Sequence, residues 1–499
     1  MNTLDWIGKW AEYTPDKIAI TCYETNFKYT YLELHVFANR LAAKLLDLGL
    51  REGDRVAAIA EHNPNYIILF CACQRLGLIL VPLNFRMASV EVDKQLKDCK
   101  PKLFLYSESL KEKLSELLLK DFQVLEMSKL EKYYAETETI QKEDFEIKED
   151  NPIFLFYTSG TTGNPKGVIY TNKMMFWNSL NTSMQLGITF RDSTINTLPP
   201  YHTSGWNVFI TPLLHKGGHI GMLGKFDPEK TLCLLELENT TLFMALPTML
   251  LMMQKTEVFK QVQLNKLRYI ISGGEKVDAS LVSYWWEEKG IYIRPGYGLT
   301  EAGPSITSLH HKIAILKPNS IGKPNFYLES KIIDSKGEKV KVGEVGELCL
   351  KGEVVTPGYW NNSVLTKSKI VSDWLYTGDL AVVDDEGFIF LKGRKDDMYI
   401  SGGENIYPQE IELLLEQIPG VDRAGVFSID DKKWGSCGVA FIESKDTNLN
   451  VDSVRNYLKQ NMAGYKHPKY IFILDEIPLT SLGKMSRKKL NEYFYSLKH

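Results

Sequence analysis

At 499 residues, with 44% hydrophobic and 24% charged residues, the chain has a globular composition and is too long for one ordinary core, so at least two domains are expected. Its 59 Lys and Arg against 62 Asp and Glu leave a formal net charge of −3, which gives no electrostatic reason to expect nucleic acid as a partner. No basic-then-apolar leader opens the chain, and apolar runs such as Tyr66 to Cys73 are too short to span a bilayer. The cysteines (Cys22, Cys71, Cys73, Cys99, Cys233, Cys349, Cys437) are scattered without metal-ligand spacing, so free thiols in a reducing cytoplasm are expected.

Thr30 and Glu33 form a capping-box pattern and Gly49 a stop, which predicts a helix over YLELHVFANRLAAKLLDLGL with Leu32, Val36, Leu41 and Leu45 facing a core. Arg55 to Ile59 reads as a strand, Asn65 to Arg75 as a helix closed by Gly77, and Leu78 to Val81 as the next strand, a parallel-sheet unit that continues through Leu103 to Tyr106. Tyr134 to Asp150 is acidic and reads as an exposed loop.

YTSGTTGNPKG, Tyr157 to Gly167, then lies between the apolar runs Ile153 to Phe156 and Val168 to Tyr170, as a loop between two strands would. Its glycines bring backbone N–H groups within reach of a ligand, Thr158, Ser159, Thr161 and Thr162 add hydroxyls, and Lys166 adds a fixed positive charge. That combination suits a polyphosphate, although Pro165 before Lys166 and Gly167 after it depart from the P-loop of GTPases. The composition also fits a Ser/Thr/Gly-rich surface loop.

Thr171 can cap a helix through Met184, after which LPPYHTSGWNVFITPLLHKGG presents His202 and an apolar run that includes Gly205, Trp206 and Phe209. On residues alone, His202 is as well a structural histidine and the run as well a buried core helix. Asp227 and Pro228 start a further helix, Thr241 to Ala245 is a strand, and the strand Leu267 to Ser272 ends in GGEKVD, where Gly273 and Gly274 admit a flat ligand or simply turn the chain. GYGLTE, Gly296 to Glu301, offers Tyr297 for stacking on a base, Thr300 as a hydroxyl and Glu301 as a hard oxygen ligand for Mg²⁺.

From Ser320 to Gly393 short strands alternate with glycine turns, and Asp379 sits in YTGDLAVVDDEG, whose Asp384, Asp385 and Glu386 read as an exposed hairpin turn. Beyond GRKDDMYISGGENIYPQEIE, a helix from Pro408, strands at Arg423 to Ile429, Val439 to Ile442 and Tyr470 to Leu474, and a helix near Val454 to Met462 make a compact α+β unit. Lys484 follows in IPLTSLGKMSRKKL, where Arg487, Lys488 and Lys489 read as a solvated basic face.

YTSGTTGNPKG, GYGLTE, YTGD, GRKDD and the Gly-Lys pair at Lys484 occur in one order, and together they resemble the adenylate-forming superfamily of acyl-CoA synthetases, peptide-synthetase adenylation domains and firefly luciferase. The resemblance runs from Trp6 onward. It implies an α/β fold: a large N-terminal domain, residues 1–394, of doubly wound α/β subdomains plus a small β-barrel, then a small mobile α+β C-terminal domain, residues 395–499. It implies that Thr158, Ser159, Gly160, Thr161, Thr162, Gly163 and Lys166 hold the ATP phosphates. Gly273, Gly274 and Glu275 would lie against adenine, Gly296, Tyr297, Gly298 and Thr300 beside the nucleotide, with Glu301 on Mg²⁺, Asp379 on the ribose and Arg394 on the nucleotide.

By the same resemblance His202, Gly205, Trp206 and Phe209 wall the acyl pocket, and Asp396 is the hinge of the C-terminal domain. Ser401, Gly402 and Gly403 would meet the pantetheine arm of CoA, and Lys484 would reach the substrate carboxylate and the α-phosphate; Lys484, Thr300, Glu301 and His202 form the implied catalytic set. The substrates implied are ATP, CoA and a small carboxylic acid. Amino-acid-activating relatives commonly carry an aspartate at the place of His202, so an α-amino acid would bring an unpaired charge here.

YHTSGWN, SGGENIYPQEIE and the apolar run look most like medium- or long-chain fatty acyl-CoA ligases, with an aromatic acid such as o-succinylbenzoate as the alternative. A ligase loading a carrier protein and a non-catalytic nucleotide-binding homologue are the readings from other classes. Peripheral membrane contact and a homodimer both stay open.

Overall fold

The computed structural model describes residues 4–115, 117, 122–136, 146–158, 165–274, 277–401, 404–431, 434–480 and 485–497. The chain forms two compact units, one of Met1–Ser330 and Leu350–Leu375, the other of Lys331–Cys349 and Tyr376–His499.

The first unit is built from two largely parallel sheets. In one, the strands run in the order Gln123–Glu126, Leu103–Tyr106, Arg55–Ile59, Ile79–Pro82, Pro152–Thr158, Lys166–Thr171. All of these neighbours are parallel except the last pair, which is an antiparallel hairpin. The non-sequential order follows from crossover helices such as Pro64–Leu76, buried over nearly its whole length and closed by Gly77 at φ 64°. Within this unit the other sheet runs Ser320–Pro324, Gly303–Ser308, Ile293–Leu299, Tyr269–Ser272, Leu242–Ala245, Ser193–Asn196, His219–Met222, Ile18–Cys22, Lys28–Thr30. Its central strands are parallel, and strands buried on both faces need the near-continuous apolar runs seen in YIIS and LFMA.

The helix Tyr31–Asp47 begins with the expected capping box: Glu33 N donates to Thr30 Oγ1 at 3.1 Å and Thr30 N to Glu33 Oε2 at 2.7 Å. Its buried face differs from the expected one. Tyr31, Leu34, Ala38, Leu41 and Leu45 point inward, whereas Leu32 is 44% exposed and Val36 only half-buried. At 3.6 residues per turn Leu32 stands about 200° around the helix from Leu34, so one side chain excludes the other from the core.

In the second unit, Trp374–Val383 pairs antiparallel with Ile389–Arg394. The sheet Arg423–Asp431, Gly435–Glu443, Tyr470–Leu474 is covered on both faces. Ile411, Leu415, Val454 and Leu458 from helices Pro408–Leu415 and Val451–Asn461 pack on Val426, Ala440 and Ile442; Leu490 and Phe494 from helix Arg487–Ser496 pack on Phe427, Val439 and Phe441. A sheet of three strands is stable only when its apolar faces are covered in this way. All seven cysteines are free, as expected, and no helix among the described residues is long and apolar enough to cross a membrane.

Three histidines of the first unit are held neutral by burial. His62 is pushed down to about 3, His215 and His219 to about 4. His215 stacks on Trp6 at 4.3 Å and shares a 2.9 Å hydrogen bond with Ser179 Oγ; His219 Nε2 meets Thr21 Oγ1 at 2.8 Å. In the unfolded chain each takes up a proton as pH falls through about 6.5, while in the folded chain it does not. Stability is therefore lost on acidification from the unfolded value down to the folded ones, with each histidine approaching about 1.4 kcal/mol per pH unit inside that window. Urea denaturation should give a clearly lower midpoint at pH 5 than at pH 7; equal midpoints would show that these histidines are not the burial-neutral groups described.

Candidate nucleotide and acyl site

Thr158 and Lys166, the two ends of the expected phosphate loop that are described, stand opposite each other in the hairpin register, and the Thr158 hydroxyl donates to Lys166 O at 3.4 Å. Ser159, Gly160, Thr161, Thr162 and Gly163 lie outside the described residues, as do Glu275, Gly402, Gly403 and Lys484. The hairpin's first strand is fixed from below, because Ile153, Phe154, Leu155 and Phe156 are all buried. Tyr157, the last ring before the loop, donates its hydroxyl to Asp98 Oδ2 at 2.6 Å. Burial, reinforced by Cys99 and Asp98, raises the Tyr157 pKa, so the phenol stays a donor and holds the loop base to helix Ser89–Cys99.

The strand leaving the loop, Lys166–Thr171, is bonded on both edges. Opposite the hairpin partner lies a segment that sequence reading did not single out: Trp360 N donates to Gly167 O at 2.7 Å, Ile169 N to Gly358 O at 3.1 Å, and Val168 bridges Tyr359. The same segment reaches Glu301. Thr356 N donates to the Glu301 carbonyl at 2.8 Å, and the Tyr359 hydroxyl donates to Glu301 Oε1 at 2.8 Å. Thr300 and Glu301 form a 3-10 turn between strands Ile293–Leu299 and Gly303–Ser308, so the carboxylate projects from a rigid hairpin tip. A half-exposed, hydrogen-bonded carboxylate is a hard oxygen donor of the kind Mg²⁺ takes, and the residues present fit that ion.

Glycine is required twice near this tip. A Cβ on Gly298 would come within 2.2 Å of Pro304 O, and one on Gly273 within 2.6 Å of Gly296 O. The GG turn and the GYG strand thus touch through backbone, which places Gly273, Gly274, Gly296, Tyr297 and Gly298 around one spot. Tyr297 itself is 9% exposed, so little of its ring is open for stacking.

Behind His202 the apolar run is split into helices Ser204–Asn207 and Ile210–Lys216. His202 is half-buried, its ring 4.7 Å from that of Tyr201. Trp206 is fully buried, donates Nε1–H to Pro200 O at 2.8 Å, and lies 4.9–6.1 Å from the rings of His62, Tyr66, Phe70 and Phe154. Phe209 is 4% exposed, and a Cβ on Gly205 would meet Pro199 O at 2.2 Å.

In the second unit, Asp379 stands opposite Arg394 and accepts from its Nη1 at 2.7 Å through Oδ1. The two nucleotide contacts implied by the sequence are thus paired with each other. Next in the chain, Lys395 Nζ bonds Glu347 Oε2 at 2.7 Å, and beyond Asp396 the carboxylate of Asp397 meets Arg487 at 3.1 Å. Arg487 is no solvated cation, contrary to the sequence reading: it also bonds Glu412 Oε1 at 2.6 Å and Val426 O at 3.1 Å. Burial raises the pKa of Glu412 while Arg487 opposes the rise. Asp396, Asp397, Arg487 and Glu492 are among the residues lining a cavity of about 360 Å³. Ser401 ends the short strand Tyr399–Ser401.

Residues 7–360 match the family model of the AMP-binding enzymes and residues 410–484 that of the AMP-binding enzyme C-terminal domain. The chain is 33% identical to a feruloyl-CoA synthase of Amycolatopsis over 93% of its length and 94% of the relative's. It is 32% identical to a 2-succinylbenzoate–CoA ligase of Oceanobacillus iheyensis over 98% and 99%, and 28% identical to a long-chain-fatty-acid–CoA ligase of Mycobacterium tuberculosis over 99% of each. The o-succinylbenzoate coenzyme A synthetase of Bacillus subtilis, solved in complex with ATP and a magnesium ion, superposes with a TM-score of 0.88 at 29% identity, over 98% of this chain and 99% of that one. The chain belongs to the AMP-binding, adenylate-forming enzymes, and among them to the AMP-forming acid–thiol ligases.

Proposed function

We propose that the protein activates an aromatic carboxylic acid as its acyl-adenylate, with release of pyrophosphate, and then transfers the acyl group to the thiol of CoA. The observation that carries the aromatic reading is the packing behind His202. Trp206 is interlocked with four other rings and Gly205 lies against the Pro199 carbonyl, so the wall implied for the acyl pocket is stiff. A short planar acid can lie against such a wall without displacing the core side chains behind it. The names of the feruloyl and 2-succinylbenzoate relatives agree with it. A medium- or long-chain fatty acid is the second reading, favoured by the mycobacterial relative and by the apolar character of the same wall.

A carboxylate approaching an α-phosphate meets like charge, and two unit charges about 4 Å apart repel by about 4 kcal/mol at an effective dielectric of 20. Lys166 and Lys484 supply cationic charge from the chain. Glu301 would hold the Mg²⁺, which when bound neutralises phosphate charge. Asp379 would accept from the ribose hydroxyls, with Arg394 fixing its orientation. For the second step the C-terminal domain, residues 395–499, would turn about Asp396 and bring Ser401 to Gly403 against the pantetheine arm.

Product mass spectrometry with ATP, Mg²⁺, CoA and parallel panels of aromatic and fatty acids should give aromatic acyl-CoA as the dominant product; a fatty series with a chain-length optimum and no aromatic product would overturn the substrate reading alone. Lys484→Ala should slow adenylate formation by about 100-fold or more, in the range of a lost charge-stabilising donor, while thioester formation from supplied acyl-adenylate persists. Equal loss of both half-reactions would refute that division of labour. Asp396→Pro should do the reverse, sparing adenylate formation and stopping transfer to CoA, and single-turnover measurement of each half-reaction distinguishes this from general inactivation.

A further inference from the structure

Glu301 is held at two points by a segment more than fifty residues downstream. Its carbonyl accepts from Thr356 N and its Oε1 from the Tyr359 hydroxyl, each at 2.8 Å. Tyr359 is itself immobilised. It is 7% exposed, its N–H donates to Thr366 Oγ1 at 2.9 Å, and its backbone bridges Val168. Its neighbours Gly358 and Trp360 bond to Ile169 and Gly167, and the Thr356 hydroxyl donates to Ile169 O at 2.6 Å. A phenol has one hydrogen to donate. Given to Oε1, it fixes the carboxylate's rotation about its terminal bond and leaves Oε2 as the ligand atom.

We propose that Tyr359 is a positioning residue for the divalent cation that accompanies the nucleotide. Its hydroxyl orients the Glu301 carboxylate so that Oε2 is presented to the metal, and the Thr356–Trp360 segment sets that oxygen's place relative to the strand that begins at Lys166. The inference rests on the reading of Glu301 as the magnesium ligand. Partners that orient a metal's carboxylate ligand typically change metal affinity by about 10- to 100-fold when removed, because an unanchored carboxylate must be ordered at the moment of binding. Tyr359→Phe keeps the ring's burial and the backbone bonds.

The test is calorimetric and uses the full chain without an acid substrate, so that no turnover occurs. ATP affinity is measured with Mg²⁺ and with EDTA, and the ratio of the two gives the metal-dependent gain. In Tyr359→Phe this gain should fall about 10-fold, with the metal-free affinity moving less than twofold. Glu301→Gln serves as the reference and should abolish most of the gain. If Glu301→Gln keeps the gain, the ligand assignment fails and Tyr359 falls with it. If Glu301→Gln loses the gain but Tyr359→Phe keeps it, whatever its melting temperature, the ligand assignment stands and Tyr359 is a packing residue only.

Discussion

The arrangement around the candidate site depends on one strand being hydrogen-bonded along both edges. Lys166–Thr171 pairs on one side with Pro152–Thr158 and on the other with the segment around Gly358 to Trp360. The first pairing closes the base of the phosphate loop, setting Thr158 opposite Lys166. The second brings in Tyr359 and, through it, Glu301. Groups from three distant parts of the chain thereby acquire fixed positions. Such preorganisation matters because donors and charges that are already in place cost no reorganisation when negative charge accumulates during reaction.

The same logic extends to polar groups that must remain in one protonation state. Burial keeps the Tyr157 phenol protonated and aimed at Asp98. Asp379 and Arg394 show the complementary device, a carboxylate almost fully buried and held by a partly exposed guanidinium on the neighbouring strand. Antiparallel register, rather than sequence proximity, makes the pair.

How much of this was legible in the sequence depended on whether the signal was local. The capping box at Thr30, the strand Leu103–Tyr106, the Asp227 and Pro228 helix start and the parallel-sheet alternation all rest on residues within a few positions of one another, and they appear where expected. The buried face of Tyr31–Asp47 was misjudged because Leu32 and Leu34 are both good core residues two positions apart, and only the packing partners decide between them. Tyr359 carried no signal, since its partner Glu301 lies 58 residues away. Arg487 looked like one of three exposed cations because nothing near it in the chain announces that Asp397 and Glu412 converge on it. Motif order was enough for the family and insufficient for the substrate.

That convergence on Arg487 fastens the chain on the C-terminal side of Asp396. Lys395 is tied to Glu347 of the strand Gly346–Lys351, and Asp397 to Arg487 and through it to Glu412 on helix Pro408–Leu415. Removing Arg487, whose side chain is partly exposed, would leave the buried Glu412 carboxylate without its cation, the uncompensated charge that makes such pairs costly to break. Surface pairs are worth far less, but Glu347 is 7% exposed in its side chain, and Lys395 is held to it. The residues flanking Asp396 are therefore each fastened to a different layer, and Asp396 is the residue between the two fastenings.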